Sequence, residues 1–146
     1  MKSIMSGSKE YFIDANIFLR VLVRENEKAY QECSNALLLI KNNNLRAYTA
    51  MLVLAEINWV LANLYKKSKP VVVRSLHSIL KLSHLSITDQ YHFGWGLALY
   101  EKHNVKFIDA MIAAHDLIAI KNIPIISYDK DFDRLSVKRV LPSELL

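Results

Sequence analysis

The chain has 146 residues, 52% of them hydrophobic and 23% charged, with Gly 3 and Pro 3. That balance predicts one globular domain with a sizeable core and excludes a long linker or a low-complexity segment. The net charge of +5 permits nucleic-acid binding without requiring it, and the single cysteine excludes an intramolecular disulfide and a zinc knuckle.

Residues 1–10 read as a flexible N-terminal segment and residues 11–146 as a single domain. Met1 to Glu10 is polar and carries no apolar signal segment. No apolar run reaches the ~18 residues of a membrane span, so the cytoplasm is the expected compartment.

Tyr11-Phe12-Ile13 predicts a short strand, and a helix follows through Phe18, Leu19, Val21 and Leu22. Asp14 falls between them. It reads either as a helix N-cap or as a site residue at the carboxyl end of a strand, the edge where open α/β sheets bind ligands. A second helix is predicted over Glu25 to Ile40, with Tyr30, Cys33, Ala36, Leu37 and Ile40 at helical spacing. Cys33 there reads as a core residue rather than a nucleophile. Asn42-Asn43-Asn44 is a turn and Arg46 to Thr49 a strand.

Ala50 to Tyr65 predicts one strongly apolar helix interrupted by Glu56, the only charge between Thr49 and Lys66. A lone Glu there either lies on a narrow solvent stripe with Asn63 or points into a site. The apolar Val53 and Val60 on the same face favour the site. Lys66, Lys67 and Lys69 form a basic turn. Pro70 opens a further helix, with Val73, Leu76, Ile79, Leu80 and Leu82 as its apolar set. His84 to Ile87 is a strand, and Thr88-Asp89 caps a helix over Gln90 to His103, with Phe93, Leu97 and Tyr100 on one side. Gly94 and Gly96 within it suggest close packing.

The stretch Lys106 to His115 predicts a helix that is apolar nearly all round, continuing through Leu117 and Ile118. Asp109 stands in its first turn, costly to bury without a compensating cation. His115 projects roughly opposite Asp109 and reads as structural or partner-facing. Asp116 and Asp133 read as solvent-side. Ile123 to Ser127 is a buried strand ending at Tyr128-Asp129-Lys130-Asp131, and Val137 to Val140 a last strand before Pro142.

Strands alternating with helices argue an α/β/α fold, a central parallel sheet covered by helices. Strand ends then converge, bringing Asp14, Glu56, Asp109 and the Asp129/Asp131 pair to one edge. Carboxylates so grouped repel strongly when ionised. Hard divalent cations, Mg²⁺ or Mn²⁺, relieve that repulsion, and such a site suits phosphate chemistry.

Phe-Ile-Asp-Ala-Asn, the Glu56 of Ala-Glu-Ile-Asn-Trp-Val-Leu, Phe-Ile-Asp-Ala-Met-Ile-Ala-Ala and Ile-Ile-Ser-Tyr-Asp-Lys-Asp-Phe-Asp resemble the four signature segments of PIN-domain ribonucleases. The size resembles the VapC toxins of toxin–antitoxin pairs, and the likeness runs from about Tyr11 to Pro142. It implies a Mg²⁺- or Mn²⁺-dependent endoribonuclease with Asp14, Glu56, Asp109 and Asp129 as metal-binding acids and Asp131 as a competitor of Asp129. Asn16 and Ser127 match accessory positions that orient the acids or a metal-bound water. Ala55 departs from the pattern, since many relatives place Ser or Thr there.

The resemblance further implies hydrolysis of RNA (tRNA, rRNA or mRNA), a small antitoxin protein as partner, and a homodimer. With those four acids set aside, 10 remain against 19 Lys and Arg. Lys106, Lys130 and Arg134 are the leading phosphate contacts, with Lys66, Lys67, Lys69, Lys138 and Arg139 as further candidates. One alternative is a PIN-fold RNA-processing or RNA-binding subunit with weak or no nuclease activity, against which the four intact acids argue. The other is a phospho-acceptor receiver domain. That class needs paired acids at the first strand end, where this chain offers Asp14 with Asn16.

Overall fold

The computed structural model describes residues 9–145. Most of the predicted flexible segment, residues 1–8, lies outside the described residues. Lys9 and Glu10 do not belong to it, because they open strand β1, Lys9–Ile13.

After β1 come α1 (Ala15–Leu22), α2 (Glu27–Lys41), β2 (Leu45–Thr49), α3 (Met51–Trp59), a π-helical turn (Val60–Leu64), α4 (Lys69–Leu80) and β3 (Leu85–Ile87). Then come α5 (Phe93–Lys102), α6 (Phe107–Ala113), α7 (Asp116–Ala119), β4 (Ile125–Ile126), α8 (Asp131–Arg134), β5 (Arg139–Val140) and a 3-10 turn (Pro142–Glu144).

The five strands lie in the order β3-β2-β1-β4-β5, and every ladder is parallel. Helices cover the sheet, as the strand–helix alternation predicts. Phe12, Ile13, Ile125 and Ile126 at its centre are fully buried. Cys33 is buried in the same core. The chain steps outward one way from β1 through β2 to β3, and the other way from β4 to β5. The crevice beyond the carboxyl ends of β1 and β4 is therefore the topological switch point, the place such sheets offer a ligand. The register pairs Phe12 with Ile125 and Ile13 with Ile126. The next residues along, Asp14 and Ser127, consequently stand side by side at that edge.

Several predicted helices are shorter than their apolar pattern. The helix over Ala50 to Tyr65 changes to a wider π turn at Val60. That turn rotates the remainder of the segment, so Asn63 does not share a face with Glu56; it is exposed and its Nδ2 donates to the Trp59 carbonyl at 3.0 Å. Within α4 the buried positions are Val72 and Ile79, while Val73 and Leu80 are exposed.

The predicted helix from Gln90 begins only at Phe93. Gln90 to His92 instead run extended against Ala114 to Asp116: His92 N donates to the Ala114 carbonyl and Asp116 N to that of Gln90. Asp89 does not cap this helix. Its Oδ1 accepts from Met51 N at 2.8 Å, capping α3, whose own N-cap residue is Ala50. Gly96 packs closely, since a Cβ there would strike the Met111 side chain; Gly94 faces open space.

The apolar stretch from Lys106 is two helices, not one. Ala114 and His115 leave the α-helical path, and the His115 Nδ1 accepts from Leu117 N to cap α7. Its Nε2 donates to the Thr88 carbonyl at 2.8 Å, and its ring packs between Phe12 and Tyr91. His115 is fully buried. It is structural, as expected, but it faces no partner. Asp116 is not free at the surface either, because the His92 ring nitrogen meets it at 2.9 Å. Asp133 is exposed and pairs with Arg139.

Candidate active site

Asp14 is both cap and wall of the switch-point crevice. Its Oδ1 accepts from Ala15 N at 2.8 Å as α1 begins. Its Oδ2 accepts from Ser127 Oγ at 2.6 Å and from Asn16 Nδ2 at 3.0 Å. Asn16 Oδ1 accepts from Tyr128 N, and Ser127 Oγ accepts from Asp129 N at 2.9 Å. The two accessory residues named from sequence thus tie the end of β1 to the end of β4. Burial raises the Asp14 carboxyl above its usual range, although the Ser127 bond works against that rise.

Asp109 projects from the first turn of α6 and is 1% exposed. Its Oδ2 is buried without a hydrogen-bond partner. Burial pushes its carboxyl up to about 8. Glu56 comes in from α3 and likewise keeps a buried Oε1 without a partner. Its carboxyl is raised by burial first and by the charge of Asp14 next.

Asp129 and Asp131 complete the group. Carboxylate oxygens of Asp109, Asp129 and Asp131 all lie within 4.8 Å of one another. The two loop acids have different surroundings. Asp129 Oδ1 accepts from Asp131 N, and its charge acts on Asp14, Glu56 and Asp109 alike. Asp131 lies 3.9 Å from Arg134, which draws it toward the surface.

One cation stands among these acids. The Lys106 Nζ is 3.8 Å from Asp109 Oδ2 and 3.7 Å from Asp129 Oδ2. Its own burial disfavours the charge, yet Asp109, Glu56, Asp129 and Asp14 outweigh that and hold the ammonium above its usual range. Neither distance makes a hydrogen bond. The all-oxygen donor set and the two unpartnered buried atoms fit a hard divalent ion.

Of the other basic candidates, Lys130 is exposed beside Asp129 and Asp131. Arg134 Nη1 donates to the Asn104 carbonyl at 3.1 Å, with the side chain 60% exposed. Arg139 does not present its charge to a phosphate. Its Nε and Nη2 meet the Asp133 carboxylate, its Nη1 donates to the Ser127 carbonyl, and only 14% of its side chain is exposed. Lys66, Lys67 and Lys69 come after the far end of α3, away from the sheet edge that carries Asp14. Lys138 precedes β5, at the opposite edge of the sheet.

Sequence reasoning passed over Tyr128. Its hydroxyl donates to Glu32 Oε1 at 2.9 Å, and the Cys33 thiol reaches it at 3.6 Å, anchoring the loop that carries Asp129 to α2. Its position between Ser127 and Asp129 was the available signal.

The PIN domain sequence pattern matches residues 11–138. The chain belongs to the PIN domain family. Among curated proteins no sequence matches it. Solved structures that share this fold include the following two. One is VapBC2 from Rickettsia felis bound to a DNA fragment from their promoter, at a TM-score of 0.64 and 21% identity, covering 90% of this chain and 98% of that one. The other is Mycobacterium tuberculosis VapC20, a sarcin–ricin loop-cleaving toxin, at a TM-score of 0.62 and 14% identity, covering 89% of this chain and 98% of that one.

Proposed function

We propose that this PIN domain is a Mg²⁺- or Mn²⁺-dependent endoribonuclease that hydrolyses RNA phosphodiester bonds, as the toxin of a toxin–antitoxin pair. The observation that carries the reading is Asp109, a carboxylate with an unpartnered buried oxygen, close to the carboxylates of Asp129 and Asp131 and under the charge of Asp14. A fold gains nothing in stability from such a group. A bound cation turns it into a ligand.

Asp14, Glu56, Asp109 and Asp129 would hold the ion, with Asp131 at its edge. When bound, such an ion supplies a Lewis acid for the phosphate and acidifies a water. The chain's own residues do the rest. Ser127 and Asn16 lock the Asp14 carboxylate in one orientation. The loop bonds from Asp131 N and Tyr128 hold Asp129 in place. Lys106, at the rim, offers the substrate phosphate an ammonium, with Lys130 and Arg134 beyond it. Water is the nucleophile, and the scissile P–O bond breaks with the leaving oxygen in line.

An antitoxin and a second copy of the chain are the proposed protein partners. Phe93, Leu97 and Tyr100 form an exposed stripe on α5, and Phe107 meets Tyr100 edge-on at 5.5 Å. So large an apolar face supports a homodimer, read out by sedimentation. Among the described residues no helix is long and apolar enough to cross a membrane. The cytoplasm remains the proposed compartment.

The test is cleavage of total RNA by the purified chain with Mg²⁺ or Mn²⁺, with EDTA, and with Asp14→Asn and Asp109→Asn variants. Metal-dependent cuts lost in both variants are expected. Equal cutting by the variants overturns the site.

A further inference from the structure

A second feature lies on the other side of α5. Trp95 is 52% exposed, with its indole face open to a partner. It separates two adjoining clefts of about 220 and 250 Å³. Asn122, Ser136 and Lys138 line the first beside Trp95; Lys102, His103 and Ser136 line the second. Glu101 is the one acid in either lining. The next residue in the chain after Lys102 and His103 is Asn104, whose carbonyl holds Arg134. Arg134 in turn leans on Asp131 at the edge of the acid site. Basic side chains thus stand on both sides of Arg134: Lys106 and Lys130 at the acid edge, Lys102 and Lys138 along the clefts.

We propose that Trp95 is a base-stacking subsite for single-stranded RNA, with Lys102 and Lys138 holding the phosphates on either side of the stacked nucleotide. The proposal rests on the nucleic-acid reading of the acid site and extends it to a second contact. The chemistry is that of single-strand recognition: an aromatic face accepts any base, and flanking ammonium groups accept the backbone. The spacing suits it. Ile123 lines the first cleft, and Ser127 lies four residues further along the chain through β4, at most about 13 Å away at ~3.3 Å per residue. A few nucleotides of single strand cover that distance. Trp95 also lies about 200° round the helix from Phe93, so an assembly through the apolar stripe leaves it open.

The experiment measures binding of fluorescent single-stranded oligonucleotides, 2 and 12 nucleotides long, in EDTA, where no cleavage occurs. Trp95→Ala should weaken binding of the longer strand about ten-fold, the worth of one stacked base, and leave the shorter strand nearly unchanged. Trp95→Phe should recover most of the loss. In a Trp59→Phe protein, where Trp95 is the remaining tryptophan, its emission should be quenched by single-stranded RNA. The paired variant Lys102→Glu, Lys138→Glu is exposed at both positions and should lower the salt slope by about two. Equal binding by Trp95→Ala and unquenched emission overturn the subsite, even if metal-dependent cleavage stands. Quenching and a Trp95 effect on a chain that never cleaves RNA uphold the subsite and sink the nuclease. A Trp95→Ala variant that changes only the oligomeric state points to a protein contact and also overturns the subsite.

Discussion

On the outer surface Glu27 accepts two hydrogen bonds from the Arg24 guanidinium, at 2.9 and 2.8 Å, and its carboxyl is held at about 2. At the switch-point edge Asp109 is pushed up to about 8. Asp133, held low by Arg139, resembles Glu27; Asp14 and Glu56, raised by burial, resemble Asp109. The same functional group moves in opposite directions in two parts of one small molecule. On the surface Glu27 and Asp133 each meet a guanidinium in a hydrogen-bonded pair. At the edge it buries the acids and supplies one lysine that reaches none of them within hydrogen-bond distance. Pairing of the first kind is ordinary surface electrostatics. The second suits the metal site proposed above.

The contrast is most exposed to failure in activity. Asp109→Asn or Asp14→Asn should lower metal-dependent RNA cleavage by about 1,000-fold or more, since several kcal/mol of transition-state stabilisation go with the metal. Asp133→Asn and Glu27→Gln should cleave as the parent does. A comparable loss in the surface variants would erase the distinction between the two groups. One layer out, Ser127→Ala and Asn16→Ala should each weaken Mn²⁺ binding by about 10- to 100-fold in calorimetry, as the loss of an orienting partner does. An unchanged affinity would mean that Asp14 is held by its backbone cap alone.

A smaller effect concerns pH. Asp109 titrates near 3.8 in the unfolded chain and about 8 in the fold. The folded state thus keeps a proton that the unfolded state gives up. Its contribution to metal-free stability is fully present below about pH 4 and is lost as pH climbs through about 8. Asp109→Asn should flatten that slope and raise metal-free stability at pH 8 by on the order of 1–3 kcal/mol. Metal should stabilise the parent most at high pH and release protons on binding. A parent whose metal-free melting temperature does not move between pH 5 and 8 would contradict the buried, raised carboxyl. Smallest of all, Lys106→Ala should weaken RNA binding a few-fold and lower its salt slope by about one. No change in the slope would confine Lys106 to balancing the acids.

The acid edge was largely legible because each acid contradicts its local context. Glu56 is the only charge in its apolar stretch, Asp14 ends a strand, and Asp109 opens an apolar helix. Where the local pattern was ordinary, the sequence misled. Phe93, Leu97 and Tyr100 share one apolar side of α5, yet Gly96 and Leu99 are its buried side. Arg139 looks like one more surface cation, yet Asp133 and the Ser127 carbonyl hold it in.

By itself the sequence determined the parallel α/β arrangement and set Asp14 and the Asp129/Asp131 loop at one edge of the sheet. Strand ends of a helix-covered parallel sheet must converge, whatever the details of packing. Only the tertiary structure decided where helices break and which charges meet. The His115 break is set by the Thr88 carbonyl, 27 residues away, and the helix start at Met51 by Asp89, 38 residues away. Lys106 faces both Asp109 and Asp129 only because α6 and the loop after β4 are brought together. A hydrogen bond or a Coulomb pair acts across space, and periodicity along the chain carries no record of a partner that distant.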